Sequence, residues 1–477
     1  NDPHNQDNNK RTIANAAAIV QNGDVRGIYH KSFLPNYSVF DEARYFSKGT
    51  EPNTLFWYDD IAIGINICED IWIEDGPAEE QVKQGASLII NINASPYDIH
   101  KSETRKEIVM KKALKLNVPI IYLNMVGGQD ELVFDGGSFV VNDLGEIIYQ
   151  ASSFKEEVFH LDIDLKTNKQ NDKSPLIIRP KTIELKDVES KASLSKNESI
   201  YSALKLGLKD YVRKNKFTKV LIGISGGIDS ALTAAICVDA LGAENVIGVA
   251  MPSKYNSKDS LDDAIKLSDN LGITLKTIEI EKIVDDFRET LTNSLNEDLG
   301  QITDENIQSR VRGNILMGLS NQTGAMVVST GNKSEMAVGY STLYGDLAGG
   351  FALIKDLYKT KVYELSNYIN SISDAIPKNI ITKEPSAELR PNQFDSDSLP
   401  DYEVLDKILN LYIEEDSSSE KIIASGVNPD LVFDVLEKVD RNEYKRKQVA
   451  PGVKLTQKAF GKDRRMPITN TYIRQKE

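Results

Sequence analysis

Leu221-Ile222-Gly223-Ile224-Ser225-Gly226-Gly227-Ile228-Asp229, followed by Ser230, decides how this chain is read. The apolar run from Lys219 to Ile224 has strand character and breaks into Ser-Gly-Gly. A helical pattern starts at once, from Asp229 through Ala231, Ala234, Ala235 and Val238. Strand, glycine turn and helix N-terminus together make a phosphate cradle. Glycines let the backbone approach a ligand. The N–H groups of the turn and first helical turn then point at the anion, with the helix dipole behind them. The kinase-type loop G-x-x-x-x-G-K-[ST] sets a Lys on the terminal phosphates. This loop has no Lys and carries Asp229 instead. A carboxylate beside a polyphosphate implies Mg²⁺ between them. The plainer reading is an ordinary glycine-rich turn, and the register of strand, loop and helix weighs against it.

Around this stretch strands and helices alternate. The pattern predicts helix 198–214, strand 218–224, helix 230–241, strand 245–250, helix 259–271, strand 273–279, helix 305–322 and strand 325–329. Such alternation implies a parallel, doubly wound sheet with ligands at the carboxyl ends of its strands. Residues 1–165 form a second α/β region, with strand-like runs Val25–Tyr29, Ile61–Ile67, Ser87–Ile92, Pro119–Leu123, Gly137–Val141 and Glu146–Tyr149. Ser102–Leu116 has helical period. Residues 166–195 are polar, contain Pro175 and Pro180, and read as a linker before a domain over 196–477.

Composition narrows the class. The 477 residues are 40% hydrophobic and 27% charged, as in a soluble globular protein. A net charge of −14 argues against nucleic acid as a partner. No run is long enough to span a bilayer, and the expectation is a chain without a secretory signal before the first domain. The two cysteines, Cys68 and Cys237, fit a reducing cytoplasm and exclude a disulfide scaffold. His4, His30, His100 and His160 show no metal-ligand spacing.

Other segments of the second region carry chemical groups. Met251-Pro252-Ser253-Lys254-Tyr255 ends a strand at a position that would face a nucleotide. Ser329-Thr330-Gly331-Asn332-Lys333-Ser334-Glu335 ends another. Asp229 and Glu335 thus sit at two strand tips of one sheet, where Mg²⁺ can bridge them to ATP phosphates. Glu335 alone reads as a helix N-terminal carboxylate. Arg310 and Arg312 at i, i+2 are a solvated face by default, or an anion clamp if buried. The tail, with Lys445-Arg446-Lys447, Lys454, Arg464 and Arg465, is a basic patch or simply a solvated terminus.

Ser225–Ser230, S-G-G-x-D-S, resembles the signature of the PP-loop ATP pyrophosphatases, which split ATP to AMP and pyrophosphate. Together with Met251–Leu261, Asn306–Gly313, Ser329–Asp346 and Lys445–Thr456, it resembles the NAD⁺ synthetase family. The resemblance covers residues 195–477. It implies a Rossmann-like PP-loop domain that activates deamido-NAD⁺ with ATP and Mg²⁺ and then amidates it. It assigns Gly223, Ser225, Gly226, Gly227, Ile228, Asp229, Ser230, Thr330 and Lys355 to ATP, and Asp229 and Glu335 to the metal. Asn306, Glu335, Asp346 and Lys445 fall to deamido-NAD⁺, with Lys447 and Lys454 as close competitors of Lys445.

In the first region, Ile61–Ile67 runs into Cys68-Glu69-Asp70. A Cys at a strand end is a candidate nucleophile, against the plainer reading of a small core hydrophobe. Lys31 ends another strand, where its ammonium can hold an oxyanion and lower a thiol pKa. His30 has no Asp or Asn orienter in view and reads as a bystander. Lys31-x-x-Leu34-Pro35-Asn36-Tyr37, Phe40-Asp41-Glu42, Cys68-Glu69-Asp70, Asn93–Tyr97 and Gln129–Gly136 resemble the nitrilase superfamily, specifically the glutaminase domain of glutamine-dependent NAD⁺ synthetases. That implies an αββα sandwich with a Glu-Lys-Cys triad. Cys68 would form a glutamyl thioester, Lys31 would support the transition state, and Tyr37, Ser95 and Lys101 would contact L-glutamine. No Glu precedes Lys31. The expectation is a partial sandwich whose triad Glu lies upstream of Asn1, leaving glutamine hydrolysis in doubt, with Glu42 or Glu131 as substitute bases.

The combined expectation is a cytoplasmic ligase, homo-oligomeric because an acyl-adenylate must be kept dry. Its nitrogen comes from glutamine or free ammonia. Rival readings are another PP-loop amidotransferase, an ammonia-only synthetase, or a nucleotide sensor with an inactive glutaminase half.

Overall fold

The computed structural model describes residues 13–52, 54–166, 190–461, 463–469 and 471. His4 and most of the expected linker, including Pro175 and Pro180, lie outside the described residues. The chain divides into two compact units. The first runs to Leu194 without Gly128–Val133; the second is Ser195 onward together with Gly128–Val133.

The first unit begins with a hairpin of β1 (Ala16–Gln21) and β2 (Asp24–His30). Asn22 and Gly23 both have positive φ, 52° and 88°, as a two-residue hairpin turn requires. Then come β3 (Leu55–Tyr58), β4 (Ile61–Ile67), β5 (Leu88–Asn93), β6 (Ile120–Asn124), β7 (Val126–Gln129), β8 (Leu132–Asp135), β9 (Phe139–Val141) and β10 (Ile147–Gln150). Six of these form one sheet in the order β10-β9-β6-β5-β4-β3. β4, β5 and β6 are parallel, joined through helices Pro77–Lys83 and Lys101–Leu116, and both flanks are antiparallel. Side chains alternate across the sheet. Ile89, Ile120 and Tyr122 pack against Val109 and Ala113 of the second helix. Ile65 and Ile67 face the other way, against Ala17 and Tyr29 of the hairpin. Asn66, Asn91 and Asn93 form a buried amide ladder, with Asn91 Nδ2 donating to Asn66 Oδ1 at 2.6 Å and Asn93 Nδ2 to Asn91 Oδ1 at 2.7 Å.

The second unit is built on a parallel sheet of β11 (Val220–Gly223), β12 (Val246–Ala250), β13 (Thr274–Thr277), β14 (Met326–Ser329) and β15 (Phe351–Ala352), in the order β13-β12-β11-β14-β15. One face packs on helices Glu281–Leu295 and Gln301–Thr323 through Leu221, Val249, Val327, Val284, Ile307 and Val311. Helix Ile228–Leu241 packs with Lys196–Lys214 and Lys359–Ile372. A cluster of C-terminal helices, Tyr402–Leu409, Ser419–Ala424 and Pro429–Arg441, has its own core around Leu405, Ile408, Val432 and Leu436. Strand order reverses between β11 and β14. Parallel sheets open a crevice at such a switch point, and Asp229 and Glu335 follow these two strands.

Candidate active sites

The turn after β11 leaves no room for side chains. Gly226 has φ +79°, and a Cβ there would lie 2.2 Å from the carbonyl oxygen of Ser260. The loop is braced from within: the Gly227 N–H donates to Ser225 Oγ at 3.1 Å, and Ser230 Oγ donates to the Gly227 carbonyl at 2.9 Å. Ser225 and Ser230 thus shape the cradle. Ile228 is buried core.

Asp229 stands in the first turn of helix Ile228–Leu241 and accepts from Asn332 Nδ2 at 2.9 Å. Asn332 also caps helix Lys333–Val338 in a reciprocal box: Glu335 N donates to Asn332 Oδ1 at 3.0 Å, and Asn332 N to Glu335 Oε2 at 3.2 Å. Glu335 is therefore both a helix-start carboxylate and the second expected metal ligand. Between the two carboxylates lies Lys359, nearly fully buried, whose Nζ pairs with Asp229 Oδ2 and sits 3.4 Å from Glu335 Oε1. Burial, then the Asp229 charge, push Glu335 above the usual carboxylate range. Burial also raises Asp395, which accepts from Tyr402 Oη at 2.8 Å. Burial opposes the Lys359 charge, yet Asp229 and Glu335 outweigh it and raise its pKa. Three carboxyl groups crowd around one ammonium, and a divalent cation would relieve that crowding. Their hard oxygens fit Mg²⁺. Among the described residues no cluster of three or more His, Cys, Asp or Glu is arranged to hold a metal. An ion here would draw on substrate oxygens, as Mg²⁺ does beside phosphates.

Next to the cradle is a cavity of about 600 Å³. Its wall includes Gly223, Ser225, Thr330, Asn306, Asp346 and Lys445 of the expected residues, together with Met251 and Arg312. Asn306 Oδ1 accepts from Thr342 Oγ1 at 2.7 Å. Asp346 accepts from Thr342 N at 2.6 Å, and burial raises its pKa. Lys445 Nζ donates to the carbonyls of Gly339 and Ser341 at 2.7 and 2.8 Å; burial lowers its pKa against the pull of Asp346. Of its competitors, Lys447 is exposed, and Lys454 is buried on the carbonyls of Thr456 and Gln457 and paired with Asp463.

Three expectations need correction. Lys355, expected at ATP, instead pairs with Glu131 and donates to the Ala450 carbonyl at 3.1 Å. Lys359, four residues later and the first residue of helix Lys359–Ile372, is the lysine that meets the carboxylates. A Lys in the first turn of a helix opposes the dipole, and that violation was the available signal. The basic tail is not a solvated terminus either. Arg446 is buried over the Phe460 ring, and Arg464 lies over Tyr412 and pairs with Asp416. Glu131, a substitute base in the sequence reading, is bound to Lys355 instead.

In the first unit the candidate groups gather at the carboxyl ends of β2, β4 and β5. Lys31, 1% exposed, bonds both oxygens of Glu42 at 2.6 and 2.8 Å. Cys68 is buried directly after β4 with φ +46°, a strained conformation for a residue with a side chain. Burial raises its pKa, while Lys31 pulls it down. Lysine alone was expected to lower the thiol; desolvation outweighs it. Asp70 ties these strand ends together, accepting from Ile67 N at 2.9 Å, Phe33 N at 2.9 Å and Tyr29 Oη at 2.9 Å. Tyr37 is exposed, with Oη 3.0 Å from Glu69. Ser95 Oγ accepts from Arg105 Nε at 3.1 Å, and Arg105 pairs with Asp135 at 2.7 Å. Lys101 Nζ lies 4.4 Å from the Trp72 ring centre, and burial lowers its pKa. His30 is exposed. Cys237 is fully buried, and burial raises its thiol.

A sheet that ends in a phosphate cradle can activate an acid with ATP. A sheet that ends in a buried cysteine beside a lysine can open an amide. A chain with both is of the class of ATP-dependent ligases that draw nitrogen from glutamine. Comparison with known proteins agrees. Residues 200–449 match the NAD synthase family and residues 3–171 the carbon-nitrogen hydrolase family. The glutamine-dependent NAD(+) synthetase of Aquifex aeolicus is 48% identical over 97% of this chain and 84% of its own length. That of Thermotoga maritima is also 48% identical, over 96% and 83%. The structure of glutamine-dependent NAD+ synthetase from Acinetobacter baumannii in complex with ADP is 44% identical, covers 95% of this chain and 81% of its own, and aligns with a TM-score of 0.71. The chain belongs to the glutamine-dependent NAD(+) synthetase family.

Proposed function

We propose that the second unit amidates deamido-NAD⁺ to NAD⁺ through an acyl-adenylate, with ammonia released from glutamine by the first unit. A carboxylate is inert to ammonia. Its oxygen attacks the α-phosphorus of ATP, and pyrophosphate leaves with the electron pair of the broken P–O bond. Ammonia then attacks the acyl carbon, AMP departs with the carboxylate oxygen, and a proton is lost. The observation that carries this reading is the convergence of Asp229 and Glu335 on Lys359 at the switch point, beside a cavity of nucleotide size. The turn N–H groups and Lys359 stabilise charge on the departing pyrophosphate. Asp229 and Glu335 would hold Mg²⁺, which when bound would neutralise more of that charge. Thr330, Asn306, Asp346 and Lys445 bind and orient the two substrates.

In the first unit Cys68 attacks the glutamine amide carbon, ammonia leaves, and water later cleaves the thioester to glutamate. Lys31 stabilises the oxyanion, and Glu42 holds Lys31 in place. Tyr37, Ser95 and Lys101 bind glutamine.

The protein is proposed to work as a homo-oligomer in the cytoplasm. Helix Glu281–Leu295 carries Ile283, Phe287 and Leu295 at multiples of four residues, 39%, 46% and 55% exposed. An exposed apolar ridge of that kind suits a subunit contact. No helix among the described residues is long and apolar enough to cross a membrane. Sedimentation would give the subunit number, and a monomer at micromolar concentration would remove that part.

ATP–pyrophosphate exchange tests the central claim. It should require deamido-NAD⁺ and vanish in Asp229→Asn. Exchange without deamido-NAD⁺, or none at all in the wild type, would leave a nucleotide sensor as the better reading.

A further inference from the structure

The two arginines of Asn306–Gly313 part company in the fold. Arg310 is exposed and donates Nε to the Leu343 carbonyl at 3.2 Å. Arg312 turns inward and forms part of the cavity wall. Its Nε donates to the Met251 carbonyl at 3.1 Å, and its Nη2 to Asn256 Oδ1 at 3.2 Å. Both acceptors are neutral. Among the described residues Arg312 has no ion pair, and its Nη1 has no hydrogen-bond partner.

The nearest carboxylates are already taken. Glu388 accepts from Asn256 Nδ2 at 2.8 Å and Ser260 Oγ at 2.7 Å, and pairs with Lys383 at 2.9 Å. Glu281 pairs with Lys254 at 2.9 Å and Arg288 at 3.0 Å. Burial lowers the Arg312 pKa to about 10, although Glu388 and Glu281 pull the other way. Arg312 is half-buried, and a partly desolvated cation without a counter-ion costs the fold it sits in. Such a group is retained where a ligand completes it.

We infer that Arg312 binds substrate, its outer guanidinium edge taking a phosphate oxygen of the bound adenine nucleotide. This rests on the ATP reading above. Position chooses the nucleotide over the other substrate. Arg312 is fixed to Met251, directly after β12, and Met251 reaches the end of the strand that leads into the cradle: its Cε would lie 3.5 Å from a Cβ on Gly223. The other cation on the wall, Lys445, is fixed instead to Gly339 and Ser341, beside Asp346. A planar guanidinium with a free edge suits a phosphate, and a lysine would lose the fork.

Calorimetric titration of the full chain with ATP, AMP and adenosine separates the possibilities, with thermal melting run alongside. If the wild type binds no ATP, the reading beneath the inference fails. If it binds ATP, Arg312→Gln should weaken ATP and AMP about tenfold or more, by loss of a charge-assisted contact. It should leave adenosine unchanged and the ligand-free melting temperature equal or higher, since a half-buried charge without a counter-ion has gone. Arg312→Lys should weaken AMP relative to adenosine at unchanged melting, and it decides the matter if the Gln variant does not fold. The inference is overturned if AMP affinity stays within about twofold of wild type. Equal losses for adenosine and AMP would also overturn it.

Discussion

Each unit buries a lysine at the carboxyl ends of its strands, and the two lysines are held differently. Lys31 faces one carboxylate, Glu42, which bonds it through both oxygens. Lys359 faces two, Asp229 and Glu335, with Asp395 close enough to bear on its charge. The first gives its lysine one directly bonded carboxylate, since nearby Asp70 is spent on Ile67, Phe33 and Tyr29. The second has carboxyl groups in excess of its one ammonium, a crowding that raises Glu335 and Asp395 and that a divalent cation would relieve. Charge balance thus separates a site for a neutral amide from one that handles a polyanion with its metal.

The most direct way to break this comparison is to remove the excess. Asp229→Asn and Glu335→Gln should each lower NAD⁺ formation at least about a hundredfold, with glutamine or ammonium alike, because both donors need the adenylate. Rates across a Mg²⁺ titration check it, and wild-type rates in both variants would remove the metal assignment.

Removing the thiol should split the nitrogen donors. Cys68→Ala should take glutamine-dependent synthesis to background and leave ammonium-dependent synthesis within about twofold. Loss of both would make Cys68 structural. A smaller effect is expected from Glu42→Gln, which leaves Lys31 buried beside a neutral amide. Glutamate release should fall about tenfold, again with ammonium-dependent synthesis retained.

The smallest effect is on stability. The folded chain binds a proton at Glu335 more tightly than the unfolded chain, because its pKa is raised. That contribution is fully present below the unfolded value of about 4.3 and is lost as pH rises through the raised folded value. Wild type should therefore lose more melting temperature than Glu335→Gln when pH rises across that window. Equal losses would show that Glu335 titrates normally.

Much of the framework was legible because it rests on local pattern. The run Ile61–Ile67 is the observed β4, and Ser102–Leu116 is one residue short of its helix. Helix 305–322 begins four residues earlier in the fold, at Gln301, where Gly300 supplies an extended N-cap. β1 was missed although Asn22-Gly23 announces its turn, because Ala16–Gln21 carries little β-branched content. The amphipathic helix Pro429–Arg441 has Asn428 and Pro429 as start signals and went unassigned.

Partnership was the illegible part. Glu42 lies 11 residues from Lys31, and Asp229 lies 130 residues from Lys359. Such pairings depend on how strands are ordered in the sheet, which periodicity does not report. The same limit explains the choice of Lys355. Both lysines flank the start of one helix, and only the turn between them decides which faces the carboxylates. Cys68 shows the complementary limit: residue types suggested an activated thiol, but burial depends on the packed fold.

Asn332 has a consequence for how this sequence can drift. Its amide holds Asp229 while its oxygen caps the next helix, so two separate demands fall on one position. Aspartate caps helices as well as asparagine does, and a single base change connects the two residues. That neighbour in sequence space would keep the helix yet set a second carboxylate against Asp229, where a donor stood. Because Asn332 is fully buried, the cap alone would survive in the Asn332→Asp variant, while a second buried carboxylate would cost stability and disturb the metal site together. Intolerance at this position therefore reports on fold and chemistry at once, although the capping rule alone would allow the change.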